Sequence, residues 1–429
     1  MKTVSGPLAR SHAKSILVGS IGNLVEWYDW YIYPNFALYF AKAFFPAGDQ
    51  TAQLLNSASV FAVGFLMRPI GGWLLGRYAD RAGRRPALIL SMLLMAAGSA
   101  GVGLIPGYAA IGFLAPLLLV LSRVVQGFSV GGQYAASASY LSEIAKRGNR
   151  GFWTSFHYVT LLCGLMLAQV ILFALQHLLL PQQISGWAWR IPFFIGALLA
   201  IGALLISLTV EESPSFEKLE GNKRPRNDIS QLWNHWRSFT TVFAITVAGT
   251  ISFQTYATYM PQYLVNTAGF TPVQSTEITM AAVFTYTLLH PLLGWLSDLF
   301  GRKPLLIVFA AGGLICTFPV MSSLATAKDS QTAFWLLLTG LALLTPYTAV
   351  SAIFKAELFP TEIRAMAVGL SFALPISIFG GTLPSVALYF KAQGHEAWYY
   401  WYITGSFALA LIAALFLPKP LGRETDTAH

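Results

Sequence analysis

The sequence predicts an all-α membrane protein of about twelve transmembrane helices, built as two similar six-helix halves. Three observations predict it. Of 429 residues, 55% are hydrophobic and only 10% are charged, against roughly 25% charged in soluble domains. Mostly apolar runs of about 20 residues, the length that carries a helix across a bilayer, recur along the whole chain. A charged phrase recurs as well. Gly76-Arg77-Tyr78-Ala79-Asp80-Arg81-Ala82-Gly83-Arg84-Arg85 returns as Gly294-Trp295-Leu296-Ser297-Asp298-Leu299-Phe300-Gly301-Arg302-Lys303, each copy between two apolar runs. Self-similarity at half the chain length is the mark of a duplicated bundle.

The runs centre near Tyr31, Phe65, Met95, Gly127, Leu162, Gly196, Ala248, Tyr286, Gly312, Leu343, Pro375 and Ala408. The first holds Glu26 and Asp29 and follows a short polar start, so it reads as a retained helix and not as a cleaved signal peptide. The second carries Arg68 and leads into the first charged phrase. The fourth, from Arg123 to Glu143, exceeds one span, as does the tenth from Pro346 to Glu357 with the residues before it. The fifth carries His157 and the eighth His290. Glu211 to Arg237 is the one long hydrophilic stretch and contains Pro214, Gly221 and Pro225. It divides the chain into an N-terminal bundle over 1–210, a linker over 211–238, and a C-terminal bundle with a short tail over 239–429. A second echo supports the division: Glu143 precedes Arg150 as Glu357 precedes Arg364, at the same spacing. Pro34, Pro192, Pro346, Pro375 and Pro384 are expected to interrupt helices.

The net charge of +9 does not indicate nucleic acid, because the cations fall on alternate connections. Lys2, Arg10 and Lys14, both charged phrases, Lys146 to Arg150, the central linker, and Lys419 with Arg423 all lie on one side. The other side holds chiefly Lys328 and Lys391. The positive-inside rule then places both termini in the cytoplasm. Cys163 and Cys316 lie within apolar runs, which gives neither a disulfide framework nor a metal set. No phosphate-binding Gly-x-x-x-x-Gly-Lys-Ser/Thr loop is present, and no cofactor is expected.

Ionisable side chains in a membrane helix are expensive and mark a cavity or a pathway. Asn23, Glu26, Trp30 and Tyr33 share one side of the first helix, with Asp29 three residues after Glu26. Two neighbouring carboxyls disfavour joint ionisation, so Glu26 and Asp29 are candidates for carrying a proton. Structural pairing with arginines is the alternative. Arg68 and Arg123 keep their charge and can fork onto a carboxylate of a substrate or of the first helix. Arg123 is thus a candidate for both substrate binding and proton coupling. Arg190 is a third candidate, or an interfacial anchor. His157 is a candidate proton carrier, or a packing residue like His290. Gln126, Gln133, Tyr33, Tyr158, Gln254, Tyr256 and Tyr286 supply polar groups for an oxyanion or keto oxygen.

In the repeated phrases, glycine permits a sharp turn and close helix approach. Asp80 with Arg84, and Asp298 with Arg302, place an acid and a cation four residues apart near helix ends. Together with Glu143, Arg150, Lys355 and Glu357 they form candidate gates between the bundles. Lys355 reads as an ion-pair partner beside Glu357. Simple positive-inside anchoring is the alternative.

The phrase Gly-x-x-x-Asp-Arg-x-Gly-Arg-Arg resembles the loop signature of the major facilitator superfamily. Arg123-Val124-Val125-Gln126-Gly127 and Glu212-Ser213-Pro214 are similar to its markers in the fourth helix and after the sixth. Gly22-Asn23-Leu24-Val25-Glu26-Trp27-Tyr28-Asp29 and Gly64-Phe65-Leu66-Met67-Arg68-Pro69-Ile70-Gly71-Gly72 resemble the metabolite:proton symporter family within it. The resemblance implies the major facilitator fold, alternating access, a working monomer and the bacterial inner membrane. It implies inward symport of a small dicarboxylate, α-ketoglutarate first, with one or more protons; relatives of this kind also move citrate, shikimate, or proline and betaines. One position departs from the pattern: Gly131-Gly132-Gln133 stands where the family has Gly-Gly-Glu. A membrane enzyme or sensor would need a nucleophile with its base, a metal cluster or an added soluble domain, and the residues offer none.

Overall fold

The computed structural model describes residues 7–46, 50–82, 84–144, 149–208, 232–360 and 363–418. Side chains are described at all of these except 7–21, 38, 50–52, 54–55, 79–81, 84–85, 132–144, 207, 272, 364–365 and 392. Asp80, Arg84, Gln133 and Glu143, and the part of the linker over 211–231, therefore lie outside the described side chains.

Twelve long helices make up the described chain, and each of the twelve expected centres falls inside one. They are α1 Pro7–Phe44, α2 Gln50–Ala82, α3 Arg84–Leu104, α4 Leu114–Ile144, α5 Arg150–Leu178 and α6 Ile191–Ser207. In the second half, α7 starts as Trp236–Phe253, passes through a π-helical segment Gln254–Tyr259 and continues as Met260–Asn266. Next come α8 Pro272–Phe300, α9 Arg302–Ala325 and α10 Ser330–Glu357. The eleventh, α11, joins Arg364–Pro375, a π-helical segment Ile376–Gly380 and Gly381–Ala392; α12 is Glu396–Leu415. Among the described residues, ten of the twelve contain a stretch long and apolar enough to cross a bilayer.

Helix packing repeats between the halves. The pairs α2–α4, α1–α5, α3–α4, α3–α6 and α1–α6 return as α8–α10, α7–α11, α9–α10, α9–α12 and α7–α12. The halves meet along α5 against α8 and α10, and along α2 against α11. On the outer helices Leu198 of α6, Ile315 of α9 and Ile412 of α12 are exposed, as lipid-facing side chains must be.

In lipid no hydrophobic force drives helices together, so close backbone approach through small residues matters. A Cβ on Gly127 would lie 2.0 Å from the Gly64 carbonyl oxygen, and one on Gly131 would lie 2.0 Å from that of Arg68. Only glycine fits this α2–α4 seam, and the seam holds Arg68 and Arg123 at neighbouring levels.

Proline explains the two π segments. Pro261 and Pro384 have no N–H to give to the carbonyl four residues back. Those carbonyls belong to Ala257 and Gly380, each inside a π segment. Pro192, by contrast, sits in the first turn of α6 and begins the helix where the sequence suggested interruption. There its missing N–H leaves nothing unpaired.

Overpacking a tight contact destabilises by about 1–3 kcal/mol. Gly131→Val should therefore lower the thermal unfolding midpoint of the purified protein. Gly202→Val, at a position on α6 with open space, should leave it in place. Equal shifts in the two variants would contradict the seam.

Candidate functional site

The largest concentration of buried charge lies where α1, α2 and α4 cross. Arg68 and Arg123 are almost fully buried, 2% and 0% exposed. Both rest on one indole: the Arg68 guanidinium carbon is 3.9 Å from the Trp30 ring centroid, and that of Arg123 is 4.3 Å away. Arg68 also faces Phe65 at 4.3 Å and Trp27 at 5.3 Å. Arg123 also faces Tyr33 at 4.5 Å and Phe61 at 5.1 Å. Each such contact is worth about 0.5–2 kcal/mol, whereas taking a charge out of water costs several. The rings alone do not balance the burial, so the guanidiniums need anions.

Their hydrogen-bond donors are only partly used. Nε and Nη2 of both arginines are buried without a partner, as is the Trp30 Nε1. Arg123 Nη1 donates to Gln126 Oε1 at 2.8 Å, and Gln126 Nε2 donates to Asp29 Oδ2 at 2.6 Å. Gln126 thus bridges Arg123 to Asp29 with both ends of its amide. It is a link inside the N-terminal half, not the free substrate contact the sequence suggested. Asp29 lies on the side of α1 turned toward α3 and α6. A Cβ on Gly196 would come within 2.6 Å of its Oδ1 and 2.9 Å of Ser99 Oγ. Glu26 is buried, with both carboxyl oxygens lacking a partner.

Other candidates are distributed around this cluster. The Tyr33 hydroxyl donates to the Ser57 carbonyl at 3.1 Å while its ring lies under Arg123. His157 is buried on α5, and its carbonyl accepts from Asn23 Nδ2 at 2.8 Å. Tyr158 stacks on His290 across the boundary between halves, with ring centroids 5.8 Å apart. The Tyr286 hydroxyl and His290 Nε2 both meet Thr348 Oγ1 at 2.9 Å. Gln254, on the π segment of α7, lies beside Gly380 of α11. Ser377, on the π segment of α11, donates to the Phe65 carbonyl of α2. The two π segments therefore sit opposite the aromatic platform.

Two residues fall elsewhere. Arg190 is half-buried at the start of α6, stacks on Trp189 at 4.3 Å and donates to the Ile105 carbonyl at 3.2 Å. From the 3₁₀ segment Ala188–Arg190 that precedes α6, it anchors the end of α3. Tyr256 turns its ring toward α10, where a Cβ on Gly340 would come within 2.6 Å of it. The extra residue of the π turn rotates it out of the cavity face and into the packing of the C-terminal half.

At the end of the molecule bearing the second charged phrase, the halves are joined. Asp298 accepts from the backbone N–H groups of Gly151 at 2.7 Å and Phe152 at 2.9 Å, in the first turn of α5, which Arg150 opens. A carboxylate from one half therefore caps the positive helix terminus of the other. Arg302 Nη1 meets Asp298 Oδ1 at 2.9 Å, and its Nη2 meets Glu357 Oε1 at 3.6 Å. Gly301 makes the turn with φ 87°. Gly151 and Gly294 admit the approach, since a Cβ on Gly294 would lie 2.6 Å from the Gly151 carbonyl. Lys355 is not the partner of Glu357. It is fully buried, donates to Ser351 Oγ at 2.9 Å and lies 4.4 Å from the Phe372 ring centroid. Two residues before Glu357, its side chain leaves α10 on a face turned inward.

Sequence reading placed Trp30 on the right face but missed that it separates two cations. Trp27, Phe61 and Phe65 were missed as a platform, as were Ser99, Gly196 and Ser377. Their signal was helical spacing opposite Arg68 and Arg123, diluted among 30 Phe and 12 Trp.

A family model described as sugar (and other) transporter matches residues 15–227 and again 216–428. The chain is 44% identical over 405 residues to the alpha-ketoglutarate permease of Escherichia coli K12, covering 94% of this chain and 93% of that one. It is 32% identical over 410 residues to a citrate-proton symporter of Salmonella typhi, covering 95% and 94%. It is 31% identical over 388 residues to a proline/betaine transporter of Escherichia coli K12, covering 87% and 77%. The solved structure of the proton:xylose symporter XylE with 6-bromo-6-deoxy-D-glucose shares the fold at TM-score 0.79 and 20% identity, covering 98% and 100%.

A helix-terminus charge contact in a partly buried site is worth up to about 2 kcal/mol, or well over tenfold in an equilibrium. With Cys163 and Cys316 replaced by serine, a cysteine at buried Thr154 of α5 should react slowly with an impermeant thiol reagent applied to this face. Adding Asp298→Ala should speed that reaction about tenfold or more. An unchanged rate would show that other contacts hold these ends together.

Proposed function

Since the chain belongs to the sugar (and other) transporter family of the major facilitator superfamily, we propose that it is a proton-coupled symporter carrying a small dicarboxylate inward by alternating access. α-Ketoglutarate is the preferred substrate. The observation that carries this reading is the pair of buried guanidiniums on Trp30, whose unpartnered N–H groups suit two carboxylates. The 44% identity to an alpha-ketoglutarate permease supports it.

In this mechanism Arg68 and Arg123 hold the two carboxylates, and Trp30 sets their spacing. Glu26 and Asp29 take up protons on the outer side and release them inside. The joined contacts of Asp298, Arg302, Glu357 and the start of α5 act as the cytoplasmic gate. They part as the halves rock, while the π segments of α7 and α11 let the C-terminal half bend beside the substrate. Both termini face the cytoplasm, in line with the Lys and Arg bias, and one chain supplies both halves of a working unit.

A proline or betaine carrier is the second reading, favoured by the relatives that carry those names. Quaternary ammonium ligands need open aromatic faces. Here Trp27, Trp30, Tyr33, Phe61 and Phe65 already serve the protein's own cations, so an anion fits better.

In proteoliposomes with an acidic exterior, labelled α-ketoglutarate should accumulate, and succinate should compete where betaine does not. Losing one charge-assisted hydrogen bond costs about 1.5–3 kcal/mol, so Arg68→Lys and Arg123→Lys should each raise KM about tenfold or more. Competition by betaine, or unchanged KM in both variants, would overturn the reading.

A further inference from the structure

We infer that two protons accompany each dianion, one on Glu26 and one on Asp29, so that the net charge of the central site stays constant through the cycle. This inference rests on the reading above and adds its stoichiometry.

The geometry supplies one acid for each cation. Arg123 of α4 reaches Asp29 through the Gln126 amide; Glu26, three residues earlier on α1, and Arg68 of α2 are the other buried acid and cation of the site. Neither acid touches its arginine: all the oxygens of Glu26, and Oδ1 of Asp29, are buried without a hydrogen-bond partner. The same arginines keep four buried N–H-bearing nitrogens without partners. Each guanidinium is thus near enough to an acid to share its charge, yet its donors are free for a different anion.

Charge accounting fixes the number. With no substrate, two carboxylates offset two guanidiniums. When a dianion engages both guanidiniums, its two negative charges perform that task. Glu26 and Asp29 must then each bind a proton, or the site carries excess negative charge away from water. On release, the dianion departs, both O–H bonds break and the two protons leave on the same side. One proton per dianion would leave a buried carboxylate with no cation to face.

Other titratable and polar groups lie around α1. From α3, Ser99 is neutral. His157 on α5 presents its carbonyl to Asn23. Lys355 on α10 donates to Ser351 Oγ and lies beside the Phe372 ring.

The test is the null point of transport in proteoliposomes holding α-ketoglutarate on both sides. For two protons per dianion, about a tenfold substrate gradient is balanced by about half a pH unit. A potassium potential set with valinomycin should not move that point. In Glu26→Gln only one proton remains, so the same gradient should need about one pH unit, and the null point should shift with voltage. A wild-type null point at one pH unit, or one that voltage moves, overturns the inference while leaving dicarboxylate symport intact. A Glu26→Gln protein that keeps the wild-type null point overturns it as well. If that variant is inactive, the wild-type measurement decides alone. Absence of any wild-type dicarboxylate exchange would instead remove the reading beneath it.

Discussion

Burying two positive charges beside a single indole is the constraint on which this structure depends. Arg68 and Arg123 cannot shed their charge, and aromatic faces repay only part of the desolvation. The rest must come from anions that reach the same point. Glu26 and Asp29 on α1 are one such source, and under the proposed function a transported dianion is the other. In that proposal both sources answer the same buried positive charge, which would link proton binding to substrate binding without any long-range signal.

The glycine seam between α2 and α4 serves that constraint. Gly64, Gly127 and Gly131 let the two backbones touch, which sets the arginines at the height of Trp30. Larger residues would separate the helices and move each guanidinium off the indole. The halves then treat their boundary differently at different depths. In the middle, uncharged groups meet across it: Tyr158 on His290, and Ser377 on the Phe65 carbonyl. At the end bearing the second charged phrase, Asp298 seizes the exposed N–H groups of α5. A helix terminus capped from another bundle can form and break as a unit, as the proposed rocking of the halves requires.

Much of the fold was legible in the sequence, because bilayer thickness and the absence of water fix helix length. All twelve centres from Tyr31 to Ala408 lie in helices, and the duplicated phrases foretold the repeated packing. Legibility failed where direction mattered more than position. Gln126 was correctly placed within the cluster, but nothing in its spacing shows that both ends of its amide are occupied. Tyr256 was displaced by a π turn that depends on Pro261, which lies beyond the π segment itself. Lys355 and Glu357 are near neighbours in the chain, yet α10 points them to opposite surroundings. Arg190 resembled the other arginines until its 3₁₀ segment directed it to the Ile105 carbonyl. Asp298 was read as a candidate gating acid, but its partners across the halves are backbone N–H groups, which carry no sequence signature.

The central claim is that Arg68 and Arg123 each hold one carboxylate of the cargo. The most direct measurement is a structure of the protein with a dicarboxylate bound. The account predicts one carboxylate within hydrogen-bond distance of Arg68 and the other within reach of Arg123, with Trp30 between them. A ligand seated elsewhere, or one that meets the tyrosines of the C-terminal half while both guanidiniums turn to Glu26 and Asp29, would contradict it.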